Sequence, residues 1–360
     1  MIIITKVHTN AEQIASLQNK IAEYGLQTLT IQGNEKTIIH IIGNSNHIPE
    51  QAFIDLEFVE TVKVVSKPYK LVSREFQPEN TTIQVRGIPF GGKEIQIIAG
   101  PCSVETPEQM QGSAEAVVAA GALFMRGGAF KPRTSPYTFQ GHGEQGLEYL
   151  TAAAKKYNLP VVTELMDVRD LELFLKYQVD VIQIGTRNMQ NFQLLKEVGR
   201  INVPVILKRG MSATIKEWLM SAEYIAAGGN TKIIFAERGI RTFESAYRNV
   251  LDVSAIPFLK RETHLPVIVD PSHAGGVAWM VSALSHAAIA AGADGLLIES
   301  HPNPAQAWSD GEQALTPQQL KVLMDELRVV ARALGRDLGH KNMMSSKTYN
   351  CDAATQDLAA

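Results

Sequence analysis

The sequence predicts an α/β protein: a (β/α)8 barrel preceded by a small ferredoxin-like βαββαβ unit. Three observations predict it. Eight short apolar runs of strand length alternate with helical stretches between residues 95 and 334. A separate, shorter rhythm of strands and helices occupies residues 1–66. No Gly-rich dinucleotide fingerprint opens the first crossover helix of the long repeat, which disfavours the rival doubly wound open sheet.

In the first unit, "IIITKV" reads as a strand and "AEQIASLQNKIAEYG" as an amphipathic helix. "LQTLTIQ" and "KTIIHIIG" read as two strands joined at Gly33 and Asn34. A short helix around Pro49–Asp55 and the strand "FVETVKVV" complete the βαββαβ order. The unit carries no cluster of acid, base and nucleophile, so it reads either as a packing or oligomerisation module or as a ligand-sensing regulatory one. His8, His40 and His47 within it read as structural.

Residues 67–94 form a connector whose last part suits a short hairpin capping a barrel. Strands are then expected at 95–99, 123–126, 161–165, 180–184, 204–207, 231–235, 266–269 and 294–298. Helices are expected at 107–120, 146–156, 168–177, 190–198, 212–227, 276–291 and 317–334, with a short one near 244–252 between the sixth and seventh strands. The barrel is expected to span 95–335, and the polar tail 336–360 to be loosely ordered.

With 360 residues, 45% of them apolar, the chain can bury a large core. A net charge of −3 argues against a general nucleic-acid binder. Two cysteines, Cys102 and Cys351, fit a reducing cytosol rather than a disulfide framework. No apolar stretch approaches the roughly 18 residues of a membrane span, and the apolar run in the opening "MIIITKVHTN" is too short for the core of a secretory signal. The expected location is the cytoplasm.

Parallel barrel strands point their C-terminal ends to one face, where catalysis is found. Cys102 follows the first strand, His273 the seventh, Glu299 ends the eighth, and Asp310 lies in the loop beyond. Taken singly, Cys102 reads as a small buried residue and Asp310 as a solvated one. Together, thiolate, imidazole and two carboxylates suit one divalent metal ion such as Mn, Fe, Co or Zn. Asp270 in "VDPSH" reads as a partner orienting His273 or as a strand-end cap. Glu164 points either into the barrel mouth or into a core ion pair.

Cations gather at the same ends: Arg126, Lys131, Arg133, Arg187, Lys208, Arg209 and Arg238. Their clustering on an acidic chain implies anionic substrates. The second loop, "GGAFKPRTSPYTFQGHGEQG", is too long to be idle, and its "KPRTSP" segment offers cations beside hydroxyls as a phosphate cradle.

These residues lie in strings that resemble the 3-deoxy-D-arabino-heptulosonate 7-phosphate (DAHP) synthase family. The strings are "IAGPCSVE", "RGGAFKPRTSPYTFQG", "TELMD", "QIGTRNMQNFQLLKEVG", "PVILKRGMSATIKEWLMSAEYI", "IFAERGIRTFE", "PVIVDPSHAGG" and "IESHPNPAQAWSDGEQAL", within about residues 70–334. The resemblance implies a transferase, a 3-deoxy-7-phosphoheptulonate synthase of the short class I type. It condenses phosphoenolpyruvate with erythrose 4-phosphate and water, committing carbon to the shikimate pathway of aromatic amino-acid biosynthesis. It implies metal ligation by Cys102, His273, Glu299 and Asp310. Phosphoenolpyruvate would meet Arg126, Lys131, Lys208 and Arg238, with Glu164 and Arg187 alongside. The aldose phosphate would meet Arg133, Thr134 and Ser135. Lys131 is the expected proton source or electrostatic partner of the developing alkoxide, and Glu164 or a metal-bound water the expected handler of the water's proton. The first unit resembles a ferredoxin-like regulatory domain that binds aromatic amino acids as feedback inhibitors, and the family suggests a homotetramer.

Two positions depart from the family pattern. Thr186 replaces the usual alanine of "IGAR", and His142 stands in "GHGEQG" where an apolar residue is common. The rival assignment is 3-deoxy-D-manno-octulosonate 8-phosphate synthase, which uses arabinose 5-phosphate. Its members typically read "KANR(S/T)S" where this chain reads "KPRTS".

Overall fold

The computed structural model describes residues 1–32, 36–43, 45, 48–63 and 67–339. The expected turn at Gly33 and Asn34, His47, Cys351 and the tail from residue 340 lie outside the described residues.

The first unit consists of β1 (Ile2–Thr5), α1 (Ala11–Glu23), β2 (Gln27–Gln32), β3 (Thr37–Ile42), α2 (Gln51–Ile54) and β4 (Val59–Lys63). Its antiparallel sheet has the order β2-β3-β1-β4. Strand alternation turns Ile3, Ile39 and Ile41 to one face, and a break in the β1–β4 register brings Val59 there as well as Val62. Leu17 and Ile21 of α1 and Phe53 of α2 cover them. Asn10 and Gln13 start α1 with a reciprocal capping box. On the other face, His40 packs its ring on Phe76 of the connector, 3.8 Å between centroids.

The connector ends in the hairpin β5 (Ile83–Val85) and β6 (Ile88–Phe90). Its two-residue turn, Arg86 and Gly87, has φ of 48° and 81°, the left-handed pair a tight hairpin needs.

The barrel follows in strict alternation. Its elements are β7 (Glu94–Gly100), α3 (Pro107–Ala120), β8 (Phe124–Arg126), α4 (Glu144–Lys156), β9 (Val161–Glu164), α5 (Leu171–Lys176), β10 (Val181–Ile184), α6 (Phe192–Gly199), β11 (Val205–Lys208), α7 (Ile215–Ala227), β12 (Ile233–Glu237), α8 (Ala255–Glu262), β13 (Val267–Val269), α9 (Pro271–Gly275), α10 (Ala278–Ala290), β14 (Gly295–Glu299) and α11 (Pro317–Ala333). All neighbouring strands pair in parallel, and β14 closes the ring against β7. Each strand contributes an inward apolar side chain: Ile98, Phe124, Val162, Val181, Ile206, Ile234, Ile268 and Leu297. Ile83, Val85 and Phe90 of the hairpin join this inner cluster and plug the N-terminal end. The alternate residues, such as Ile97, Met125, Ile182 and Phe235, pack outward under the helices. Among the described residues, no helix is long and apolar enough to cross a membrane.

Two expectations are corrected. No helix forms at 244–252; Ile240 instead bridges Val250, Asn249 bonds the Ala274 carbonyl, and the helix comes later as α8. The tail begins in order rather than loosely: β15 (Asp337–Leu338) pairs with the start of β7, and Arg336 donates to the Ala293 carbonyl and pairs with Asp294.

Gly100 ends β7 with φ of 146°, and a Cβ there would strike the main-chain carbonyl of Arg126. Gly100→Ala is expected to destabilise the barrel by about 2 kcal/mol or more, read by denaturant unfolding. An unchanged midpoint would show that β7 and β8 can part at no cost.

Candidate active site

The inward period that fills the barrel also builds the site. One pleat above Phe124, Val162, Val181, Ile206, Ile268 and Leu297 come Arg126, Glu164, Gln183, Lys208, Asp270 and Glu299. Arg238 stands two residues beyond the inward Ala236 of β12. A polar layer therefore roofs the apolar one at the C-terminal ends of the strands.

Asp270 is fully buried and organises the seventh strand end. Its Oδ1 caps α9 by accepting the His273 N–H at 2.9 Å, and Pro271 supplies the first helical position. Its Oδ2 accepts from His273 Nδ1 at 2.7 Å and from the Lys208 ammonium at 2.5 Å. Burial pushes its carboxyl up, but attraction to His273 and Lys208 outweighs that and holds it well below the usual carboxylate range. Ser272 accepts the Glu299 N–H at 2.9 Å, fastening α9 to β14. With Nδ1 donating to a carboxylate, the neutral His273 ring carries its lone pair on Nε2. Burial lowers the His273 pKa, which keeps that form.

The Nε2 lone pair faces Glu299 Oε1 at 3.5 Å, so two acceptors confront each other. Cys102 Sγ, a Glu299 oxygen and an Asp310 oxygen lie within 4.8 Å of one another, a set able to hold a metal ion. Three of the four expected ligands thus converge mutually, and His273 stands at the margin through Glu299. The thiol donates to Asp310 Oδ2 at 3.0 Å and receives Lys131 Nζ at 2.9 Å. Burial first, and then the Glu299 charge, push it up to about 12. Burial also works to raise Glu299, but His273 and Arg126 bring it down to about 2. Confronted acceptors, a charged carboxylate and a sulfur ligand fit a divalent transition metal, with Asp270 as the outer carboxylate that orients the histidine.

Beside this group opens a cleft of ≈ 240 Å³ whose lining includes Lys131, Arg133, Arg187, Lys208, Arg238 and Arg248. Arg238 is 4% exposed, and its Nη1 has no hydrogen-bond partner among the described residues. Burial lowers the Arg238 pKa, aided by Arg248 and Arg187; burial likewise lowers that of Lys208, with Arg126 and Arg238 adding repulsion. Such crowded, under-neutralised cations call for an anion.

Thr134, Glu164 and Thr186 also line the cleft, and Glu164 takes a bond from Gln183 rather than from a core cation. Ser135 is not among the lining residues; its hydroxyl accepts the Tyr137 N–H at 3.3 Å. Arg126 sits deeper, donating to Glu299 Oε1 at 2.5 Å. Arg209, adjacent to Lys208 and so facing the other way, is tied to Glu237 and Asp252 outside the cleft. Sequence reasoning missed Arg248, which lines the cleft 3.7 Å from Asp310, and Gln313, which donates to Glu299 Oε2. Arg248 follows "IRTFE" as the loop's last cation, the one local signal available.

Comparison with known proteins gives the family. The profile of the DAHP synthetase I family matches residues 75–333, and that of the DAHP synthase ferredoxin-like domain matches residues 1–67. A phospho-2-dehydro-3-deoxyheptonate aldolase of Thermotoga maritima is 50% identical over 335 residues, 93% of this chain and 99% of its own. A 2-dehydro-3-deoxyphosphooctonate aldolase of Syntrophotalea carbinolica is 30% identical over 69% of this chain and 95% of its own. Among solved structures, the Thermotoga maritima DAHP synthase superposes with a TM-score of 0.75 at 49% identity, covering 94% of this chain and 99% of that one. A truncated form of 3-deoxy-D-arabino-heptulosonate 7-phosphate synthase from the same organism gives 0.70 at 50% identity, covering 75% and 98%. With both units matched and a relative half identical along nearly its whole length, the chain belongs to the DAHP synthetase I family.

Proposed function

We propose that this barrel mouth condenses phosphoenolpyruvate with erythrose 4-phosphate and water to give 3-deoxy-D-arabino-heptulosonate 7-phosphate and inorganic phosphate, the first step of the shikimate pathway. The observation that carries the reading is the Arg238 Nη1, without a partner among the described residues, in a ring of cations beside the Cys102, Glu299 and Asp310 group. Cations of this kind take a carboxylate and two phosphates, which the two substrates supply.

Cys102, His273, Glu299 and Asp310 would hold the divalent ion, which supplies Lewis acidity at the aldehyde oxygen when bound. Arg126, Lys208 and Arg238, with Arg187 alongside, grip phosphoenolpyruvate and stabilise charge as its C2–O bond breaks and phosphate leaves. C3 of phosphoenolpyruvate forms the new bond to the aldehyde carbon while water adds at C2. Lys131 Nζ, fixed 2.8 Å from the Cys102 carbonyl, is placed to give a proton to the aldehyde oxygen. Glu164 at the mouth accepts the proton of the adding water. Arg133 and Thr134, which line the cleft, receive the phosphate of the aldose, and Ser135, set outside the lining, takes no part in that contact. The N-terminal unit regulates the barrel through an aromatic amino acid, and the assembly is a homotetramer, as the family resemblance suggests.

The octulosonate relatives raise a second reading with arabinose 5-phosphate as the aldose. The "KPRTS" tip and the higher identity to the heptonate enzyme favour erythrose 4-phosphate. Phosphoenolpyruvate consumption with each aldose, with and without a chelator, decides. Preference for arabinose 5-phosphate would overturn the assignment, and full turnover after complete metal removal would overturn the metal role.

Ion binding has a calculable pH dependence. Free of metal, the Cys102 thiol holds its proton up to about 12, whereas Glu299 has lost its own by about 2. Binding as thiolate therefore expels one proton, and apparent affinity should rise about tenfold per pH unit from pH 6 to 8. Calorimetry of Mn²⁺ binding in buffers of different ionisation enthalpy should count one proton per ion. A count of zero would remove the thiolate from the ligand set.

A further inference from the structure

We propose that His142 is a positioning residue for the aldose phosphate: it clamps the loop after β8 to the loop after β14 and so fixes Arg133 relative to Asp310. The proposal rests on the aldose-phosphate reading of Arg133 given above.

The loop between β8 and α4 closes on itself as a hairpin. Phe130 bridges Gly141, Lys131 N–H donates to the Gln140 carbonyl at 2.9 Å, and Gly143 N–H to the Ala129 carbonyl at 3.0 Å. Its tip carries Arg133, whose Nε donates to the Phe139 carbonyl at 3.1 Å. At its base, His142 Nε2 lies 2.8 Å from the main-chain carbonyl of Glu105, in the loop after β7. A carbonyl only accepts, so Nε2 carries the proton.

Glu105 is 5% exposed and engaged through both carboxylate oxygens. Oε1 takes the Trp308 N–H at 2.8 Å, and Oε2 meets His301 Nε2 at 3.2 Å. The Trp308 indole stands edge-on to the ring of Phe139 at 5.0 Å and of His142 at 5.7 Å, and Phe139 and His142 are themselves 5.0 Å apart. Trp308 precedes Asp310 by two residues. Phe139 thus holds Arg133 by its carbonyl and Trp308 by its ring, while His142 pins the same hairpin to the main chain of Glu105, whose carboxylate seats Trp308. An apolar side chain at 142 could fill the volume. It would leave the Glu105 carbonyl without its donor and let the hairpin slide by the fraction of an ångström that positioned reactions do not tolerate.

The test is steady-state kinetics of the metal-loaded full chain with both substrates varied. His142→Leu is expected to raise KM for erythrose 4-phosphate about tenfold and to move KM for phosphoenolpyruvate less than about twofold. His142→Gln, whose amide nitrogen reaches the same carbonyl, should restore most of the loss. Hydrogen exchange of amides 130–141 should quicken in the leucine variant and stay slow in the glutamine one. An unchanged aldose KM, or an equal rise in both KM values, overturns the clamp. If His142→Leu does not fold, Trp308→Leu is read by the same outcomes. Arg133→Ala separates the two readings. An unchanged aldose KM there sinks the role of Arg133 itself, whereas a raised one beside an unchanged His142→Leu sinks only the clamp.

Discussion

Cys102→Ser is expected to leave the fold intact while lowering kcat by about a thousandfold or more, beyond the roughly ten- to hundredfold that loss of an outer partner costs. The hydroxyl can keep both contacts of the thiol, to Lys131 and to Asp310, and the buried site changes little in volume. Stability should therefore stay within about 1 kcal/mol of the parent. What changes is ligand chemistry: a neutral, hard hydroxyl replaces a thiolate, and affinity for zinc-like ions falls. Measuring Mn²⁺ or Zn²⁺ content after dialysis alongside turnover separates the effects. A serine variant that turns over at the parent rate without bound metal would end the ligand assignment.

Asp270→Asn should be the most destabilising change in the polar layer, by about 3–5 kcal/mol. The amide can still cap α9 through its oxygen, but its NH₂ would then face two donors, the Lys208 ammonium and His273 Nδ1–H. Lys208 would be left as a buried cation with Arg126 and Arg238 for neighbours. Metal affinity should fall as well, since His273 loses the partner that fixes its tautomer. The acid dependence has a definite sign. The folded pKa of Asp270 lies well below 3.8, so its contribution is complete above that value and is lost only as pH falls through the folded one. The stability gap between parent and variant should therefore be flat from pH 8 to about 5 and close only in stronger acid. A gap that closes between pH 7 and 6 would point to His273 instead.

Much of this was legible in the chain. Buried parallel strands read as short Val, Ile and Leu runs, so all eight were located, with ends moved by one or two residues, as when 231–235 became Ile233–Glu237. The residues closing those runs, Arg126, Glu164, Lys208 and Glu299, were legible as the mouth for the same reason. The period of two could also have separated Lys208 from Arg209, which point to opposite sides. Other features had no local signal. The stretch expected to be helical near 244–252 is held instead by long-range bonds, Ile240 with Val250 and Asn249 with Ala274. β15 exists only through β7, more than 240 residues earlier. Gln313 reaches Glu299, and Arg248 the cleft, from loops whose course depends on the finished barrel.

The stopper formed by Ile83, Val85 and Phe90 makes the barrel a flask with a single neck. Reactants, water and released phosphate all pass the same rim, so whichever molecule settles at the bottom must go in first and come out last. Order of arrival is then a matter of plumbing: Arg126 and Lys208 lie buried at the strand ends, whereas Arg133 is only half-buried on its loop.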